Sequence, residues 1–272
     1  MKRKITIYIF ILLVGSVFAR NIDQSDVPAV VLNTFQLKFP TADDIKWKLE
    51  KDNYQVDYKV NSKGNKLTID FKGKILKHNQ DLFISEIPRM VLETIKKRVG
   101  YFDVNDADKY VEGNKIIYEI QFKINGKDYF FWINEKGKLL KFRRELKESE
   151  VPASMMQFIN NKYGSTDYDR AKFVEENGNI NYIIRVKINK MEHLFWMGNN
   201  GVLLKHIQDL RDSEIPAPVL NAANSNYKEY EIHDADWIEE RNSSTYKLEL
   251  RKSNRRVYLT INPDGKILDV KK

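Results

Sequence analysis

A step of 64 residues constrains this chain more than any other feature. Gly73, Gly137, Gly201 and Gly265 stand 64 apart. The dipeptides Val27-Pro28, Ile87-Pro88, Val151-Pro152 and Ile215-Pro216 keep almost the same step, with prolines 60, 64 and 64 residues apart. Six positions before each proline lies an aliphatic residue: Ile22, Leu82, Leu146 and Leu210. Self-similarity at a fixed step means one supersecondary unit used repeatedly. The units read as 20–84, 85–148, 149–212 and 213–272, each of about 63 residues.

Each unit opens with serine, an acid, a β-branched residue and proline, as in Ser85-Glu86-Ile87-Pro88 and Ser149-Glu150-Val151-Pro152. Serine and a carboxylate satisfy free N–H groups at a helix start, and proline is tolerated in the first turn. A helix is therefore expected to start here, with the serine and the acid as its cap. Apolar residues then fall at offsets +3, +4, +7 and +11 from the proline: Val31, Leu32, Phe35, Phe39; Val91, Leu92, Ile95, Val99; Met155, Met156, Ile159, Tyr163; Val219, Leu220, Ala223, Tyr227. That spacing draws one stripe along about three turns of helix.

The remainder of each unit reads as strand. In the second unit Tyr118, Ile120, Phe122 and Ile124 alternate with Glu119, Gln121 and Lys123, and Asn125-Gly126 is a strong hairpin signal. Asp128–Asn134 and Lys138–Phe142 follow, divided by the turn at Gly137. The unit is one helix followed by four antiparallel strands, an α+β arrangement in which the helix stripe buries itself on its own sheet.

Residues 1–19 read as an address. Lys2, Arg3 and Lys4 precede an apolar run from Ile5 to Phe18, closed by Ala19. This is the pattern of a secretory signal peptide, and the run is shorter than the roughly 20 residues of a spanning helix. Cleavage after Ala19 is expected, giving a periplasmic or secreted protein without a stable membrane anchor. It leaves 43 Lys and Arg against 38 Asp and Glu, so the net charge falls from +8 to +5. The chain has no cysteine, which excludes disulfides, thiolate metal sites, cysteine nucleophiles and attachment of lipid through cysteine.

Phe39-Pro40-Thr41-Ala42 after the first helix, Ile45-Lys46-Trp47 at the first strand and Asp70-Phe71-Lys72-Gly73-Lys74-Ile75-Leu76 at the turn carry a resemblance. Glu86-Ile87-Pro88 and Gly137-Lys138-Leu139-Leu140 extend it, although Phe-Pro-x-Ala does not recur in later units. Together these motifs resemble the PepSY-like family related to the β-lactamase inhibitor protein, across four tandem units. The resemblance implies units paired into larger continuous sheets. It also implies a sheet face that grips a protein partner, with a hydrolase as one candidate, and it carries over no catalytic residue.

Counting back from the turn glycines, Leu67, Phe131, Phe195 and Leu259 share one position and Ile69, Ile133, Met197 and Ile261 another. All are apolar and are expected to face the helix. The positions between them face outward, where Phe130, Trp132, Leu194 and Trp196 stand in the two central units and Tyr258 in the last. A large exposed apolar patch on a soluble protein marks an interface, and Trp and Tyr are frequent hot-spot residues. These five residues are the candidate partner-binding surface. The alternative is that the two halves of the protein pack on each other there, or on a loop. Polysaccharide is a second candidate ligand, with Trp132 and Trp196 beside Glu119, Gln121, Arg185 and Lys187, and self-association a third.

Other chemistries find no support in the sequence. His78, His193, His206 and His233 show no close ligand spacing, so no metal is expected. Loop clusters such as Asp43-Asp44 and Asp234-Ala235-Asp236 read as solvated. No glycine-rich phosphate loop or nucleophile elbow is present, so no cofactor and no enzyme activity are expected. The units carry net charges of +2, +3, 0 and 0 with both signs interspersed, unlike the concentrated basic stripe of a nucleic-acid binder.

Overall fold

The computed structural model describes residues 20–241 and 243–272. The expected signal peptide lies outside them. The chain divides into two compact units, one holding the described residues up to Ile87 together with Ala107–Ile117, the other Pro88–Asp106 and Tyr118–Lys272.

The first unit contains β1 (Arg20–Ile22), α1 (Ala29–Lys38), β2 (Asp43–Glu50), β3 (Asn53–Val60), β4 (Lys63–Asp70) and β5 (Ile75–Asp81), and takes in most of β6 (Val104–Glu112). Each strand pairs antiparallel with the next, from β1–β2 through to β5–β6. The helix stripe closes on this sheet: Val31 and Phe35 are buried with Trp47, Val56, Tyr58, Leu67 and Ile69. Phe35 meets Trp47 and Tyr58 edge-on, with ring centroids 5.4 and 5.0 Å away.

In chain order the next elements are α2 (Arg89–Val99), β7 (Lys115–Ile124), most of which lies in the second unit, β8 (Lys127–Asn134) and β9 (Leu139–Leu146). Then come α3 (Ala153–Tyr163), β10 (Asp167–Glu176), β11 (Asn179–Ile188), β12 (Met191–Gly198) and β13 (Leu203–Asp209). The chain ends with α4 (Ala217–Asn226), β14 (Glu231–Glu240), β15 (Ser243–Lys252), β16 (Arg255–Ile261) and β17 (Ile267–Lys271). From β8 to β17 every strand again pairs antiparallel with its successor. The architecture is α+β, with a helix before each run of four strands. Helix residues at offsets +3 and +7 are buried in all four cases, and those at +4 and +11 are half-buried.

Two details differ from the sequence expectation or lie beyond it. Serine and its acid do not cap the α-helix. They occupy a separate 3₁₀ turn, and the proline itself takes the N-cap position with extended ψ. The carboxylates of Glu86, Glu150 and Glu214 reach back instead to accept the backbone N–H of Phe83, Lys147 and Arg211 at 2.7–2.8 Å. Asp26, one methylene shorter, makes no such bond.

The second detail is a bulge that recurs with the 64-residue step. Pairing slips at Thr68/Ile69, Trp132/Ile133, Trp196/Met197 and Thr260/Ile261. The unpaired residue opposite is a leucine each time, Leu76, Leu140, Leu204 or Leu268. A bulge re-aims the strand locally, which leaves Leu204 and Leu268 exposed. The glycine just before it turns with positive φ, and three of the four also lie against a helix. Thr34 and Thr94 donate to the carbonyls of Gly73 and Gly137 at 3.0 and 2.7 Å, and a Cβ on Gly265 would stand 2.6 Å from the Pro218 carbonyl oxygen.

Candidate functional site

The period of two along each strand fixes two faces. Phe131, Ile133, Phe195, Met197, Leu259 and Ile261 are buried against the helices. Between them, Phe130, Trp132, Leu194 and Trp196 are half-buried on the opposite face, and Tyr258 is 42% exposed.

Phe130 and Trp132 on β8 stack with centroids 6.0 Å apart, and the Trp132 indole N–H donates to Glu119 Oε2 at 2.9 Å. Their cross-strand neighbours on β9 are Arg143 and Lys141. The Arg143 guanidinium lies 3.9 Å from the Phe130 centroid and 5.5 Å from that of Trp132, with Lys141 Nζ 5.4 Å from Trp132. On β12, Trp196 faces Lys205 of β13, whose ammonium is 5.8 Å from the ring. Cations over aromatic faces are attracted by the ring quadrupole.

The five residues thus share a face but form three stations rather than one patch. β9, β10 and β11 separate the β8 pair from the β12 pair, about 19 Å at the usual strand spacing. Tyr258 lies on β16, four strands beyond β12. The strands between the first two stations carry charge that the turn-glycine register does not reveal. Arg143, Lys172 and Arg185 follow one another diagonally across β9, β10 and β11, with Val174 and Ile183 between them. Arg185 is only 5% exposed. Its Nη1 lies 3.4 Å from Glu192 and its Nε 3.9 Å from Asp169. Burial lowers the pKa of all three cations. For Lys172 the positive charges of Arg143, Arg170 and Arg185 lower it further, against Glu145.

Farther along the same face, Asp236 sits between Asp209 and Lys247 on its neighbouring strands. Burial, then the charges of Asp234 and Asp209, push its carboxyl up to about 7, opposed by Lys247.

The helix side of the third repeat holds a histidine pair. His193 Nδ1 and His206 Nε2 are 2.9 Å apart, so one ring donates and the other accepts. Both are buried, and burial pushes His193 down to about 4 and His206 to about 3. Glu239 lies 3.9 Å from His206 Nδ1 and accepts the Tyr163 hydroxyl at 3.1 Å. In the first unit Asn65 and His78 occupy the equivalent places, with His78 Nε2 3.2 Å from Asn65 Oδ1 and 3.0 Å from the Tyr58 hydroxyl. Among the described residues no three His, Cys, Asp or Glu side chains are grouped to hold a metal, and no helix is long and apolar enough to cross a membrane.

The model of the beta-lactamase-inhibitor-like, PepSY-like family matches residues 19–77 and 200–269. The chain is PepSY-like over these two segments. Among solved structures, the chain is similar to a DUF2874 family protein from Bacteroides uniformis, at 18% identity and a TM-score of 0.36 over 43% of this chain and 88% of that one. It is also similar to a BLIP-like protein from Bacteroides fragilis, at 20% identity and a TM-score of 0.35 over 42% and 82%. No curated protein matches the chain.

Proposed function

We propose that this PepSY-like chain is an exported, non-enzymatic binding protein of the cell envelope that holds a protein partner, with a hydrolase as one candidate, against the strand face opposite its helices. The observation that carries the reading is the outward placement of Phe130, Trp132, Leu194 and Trp196 in neighbouring repeats, on a face that no helix of the second unit covers. That face belongs to the second unit, which holds all four residues. The basic and apolar leader supports an exported location, and the family model supports an inhibitor-like rather than a catalytic role. A polysaccharide ligand is the second reading, favoured by the Trp132 ring with its indole N–H fixed on Glu119.

The test is a paired substitution, Trp132→Ala with Trp196→Ala. The protein captured from envelope extract by the wild type should be lost to the variant while thermal unfolding stays close to wild type. A variant that unfolds earlier but captures the same material shows the face to be packing, and the proposal fails. Binding on a glycan array that disappears with the same substitutions supports the second reading instead.

A further inference from the structure

The two aromatic stations leave a strip of β9, β10 and β11 between them, and that strip is built of cations. Arg143 on β9 faces Val174 on β10, so Lys172, two residues away, is its diagonal neighbour. Arg185 on β11 faces Arg170 and is diagonal to Lys172 from the other side. Diagonal neighbours lie roughly 7–8 Å apart, so Lys172 stands midway between two arginines about 15 Å from each other, Arg143 lying over Phe130 and Arg185 held by Glu192 and Asp169.

Their own counter-charges leave donors unused. Among the described residues, neither Arg143 nor Lys172 has an ion-pair partner within 4.0 Å. Glu119, Asp128 and Glu145 act on Arg143, and Glu145, across the strand pair, on Lys172, only at longer range. Arg143 Nε and Arg185 Nη2 are buried without a hydrogen bond, although Arg185 is paired through its other nitrogens. Lys172, half-buried without an ion pair and amid the positive charges of Arg143, Arg170 and Arg185, is held at a cost in the free protein. An acceptor arriving from outside would relieve it.

We infer that Lys172, flanked by Arg143 and Arg185, is an anion site for a carboxylate carried by the protein partner, seated between the Phe130–Trp132 and Leu194–Trp196 stations. The inference rests on the proposed function and names the chemistry of that surface. Apolar stations about 19 Å apart are spanned by roughly six residues of extended chain at 3.3 Å each. The occupant is therefore a segment with a central Asp or Glu and apolar side chains toward both ends. Negative charge answers the cations and apolar groups answer the rings.

The protein purified after export can be titrated with poly-L-glutamate at low ionic strength, and with heparin as a sulfated polysaccharide. Poly-L-glutamate should bind, and Lys172→Glu should weaken it about ten-fold or more, since a charge-assisted bond is lost and repulsion replaces it. Lys97→Glu makes the same change of net charge on an exposed position of α2 and should alter binding less than two-fold. Lys172→Gln keeps the fold safe from a new acid beside Glu145. It should also weaken binding, and it should raise the melting temperature by relieving like-charge repulsion.

Equal losses in Lys172→Glu and Lys97→Glu, wild-type binding by Lys172→Gln, no binding of poly-L-glutamate, or tighter binding of heparin would each overturn the site. The two levels separate in envelope capture. Capture lost with the tryptophan pair but unchanged in Lys172→Glu removes the anion site and leaves the docking face. Poly-L-glutamate binding lost in Lys172→Glu, with capture indifferent to the tryptophans, keeps the anion site and removes the docking reading.

Discussion

Lowering the pH should loosen the third repeat through His193 and His206. Both rings are buried and neutral, with pKa values pushed from the ordinary 6.5 to about 4 and about 3. In the unfolded chain each titrates near 6.5. As the pH falls, the unfolded chain takes up protons first. The stabilisation is whole above 6.5 and is lost as the pH falls through 6.5 toward the folded values. Each unit of pH is worth about 1.4 kcal/mol per imidazole, so at pH 4.5 each ring that stays neutral forfeits about 2.7 kcal/mol and the pair about 5.

The comparison protein is supplied by the repeat itself, because the second repeat holds Tyr129 and Phe142 at the same two places, rings 6.1 Å apart. Urea unfolding of the wild type and of His193→Tyr/His206→Phe between pH 7.5 and 4.5 reads the difference. His78, also pushed down to about 4, is common to both proteins and cancels. The wild type should lose several kcal/mol more than the variant over this interval. Parallel loss in the two proteins would refute the argument, since it would mean that neither ring is held neutral by its surroundings.

Asp236 works in the opposite direction. Its folded pKa is about 7 against an ordinary 3.8, so its destabilising effect grows as the pH rises through that window. Asp236→Asn should therefore gain about 2 kcal/mol at pH 8 and almost nothing at pH 4, allowing for its half-buried position; an equal gain at both values contradicts the assignment. The turn glycines should divide by what faces them. Gly201 has open space for a Cβ and only a φ of +77° to maintain, so Gly201→Ala should cost about 1–2 kcal/mol. Gly265→Ala adds contact with Pro218 and should cost about 1–3 kcal/mol more in thermal unfolding.

Much of the fold was legible because its signals are local. The +3 and +7 helix positions, the alternation of strand residues and the turn glycines each report on neighbours a few residues away. The Ser-acid motif misled because the same two residue types suit a 3₁₀ turn and an α-helix N-terminus equally, and only the extended ψ of the proline separates them. The outward face was legible on the strand before each glycine through the shared register of the repeats, because Phe130 to Ile133 and Leu194 to Met197 are apolar throughout and do not alternate. The cations between the stations were not, since Arg143, Lys172 and Arg185 meet only through the pairing of three strands. The histidines were hidden for the same reason. His193 and His206 are 13 residues apart, without close spacing, but Phe195 faces His206 and brings the two rings into diagonal contact across one strand pair.

The neighbour-to-neighbour pairing of strands bears on how the chain reaches this state. Even where a helix intervenes, the most widely separated partners are Lys77 with Glu112, Lys141 with Glu176 and Lys205 with Glu240, each 35 residues apart. Pairing at such short separations keeps the contact order low, which favours rapid folding. A chain emerging amino-terminus first from a ribosome or a translocation pore can complete the hairpin pairs of one run before the following helix has appeared, and the pair that flanks a helix as soon as the next strand follows. Among these described pairings each strand meets a near neighbour in sequence, so little unpaired strand edge is exposed to other chains along the way.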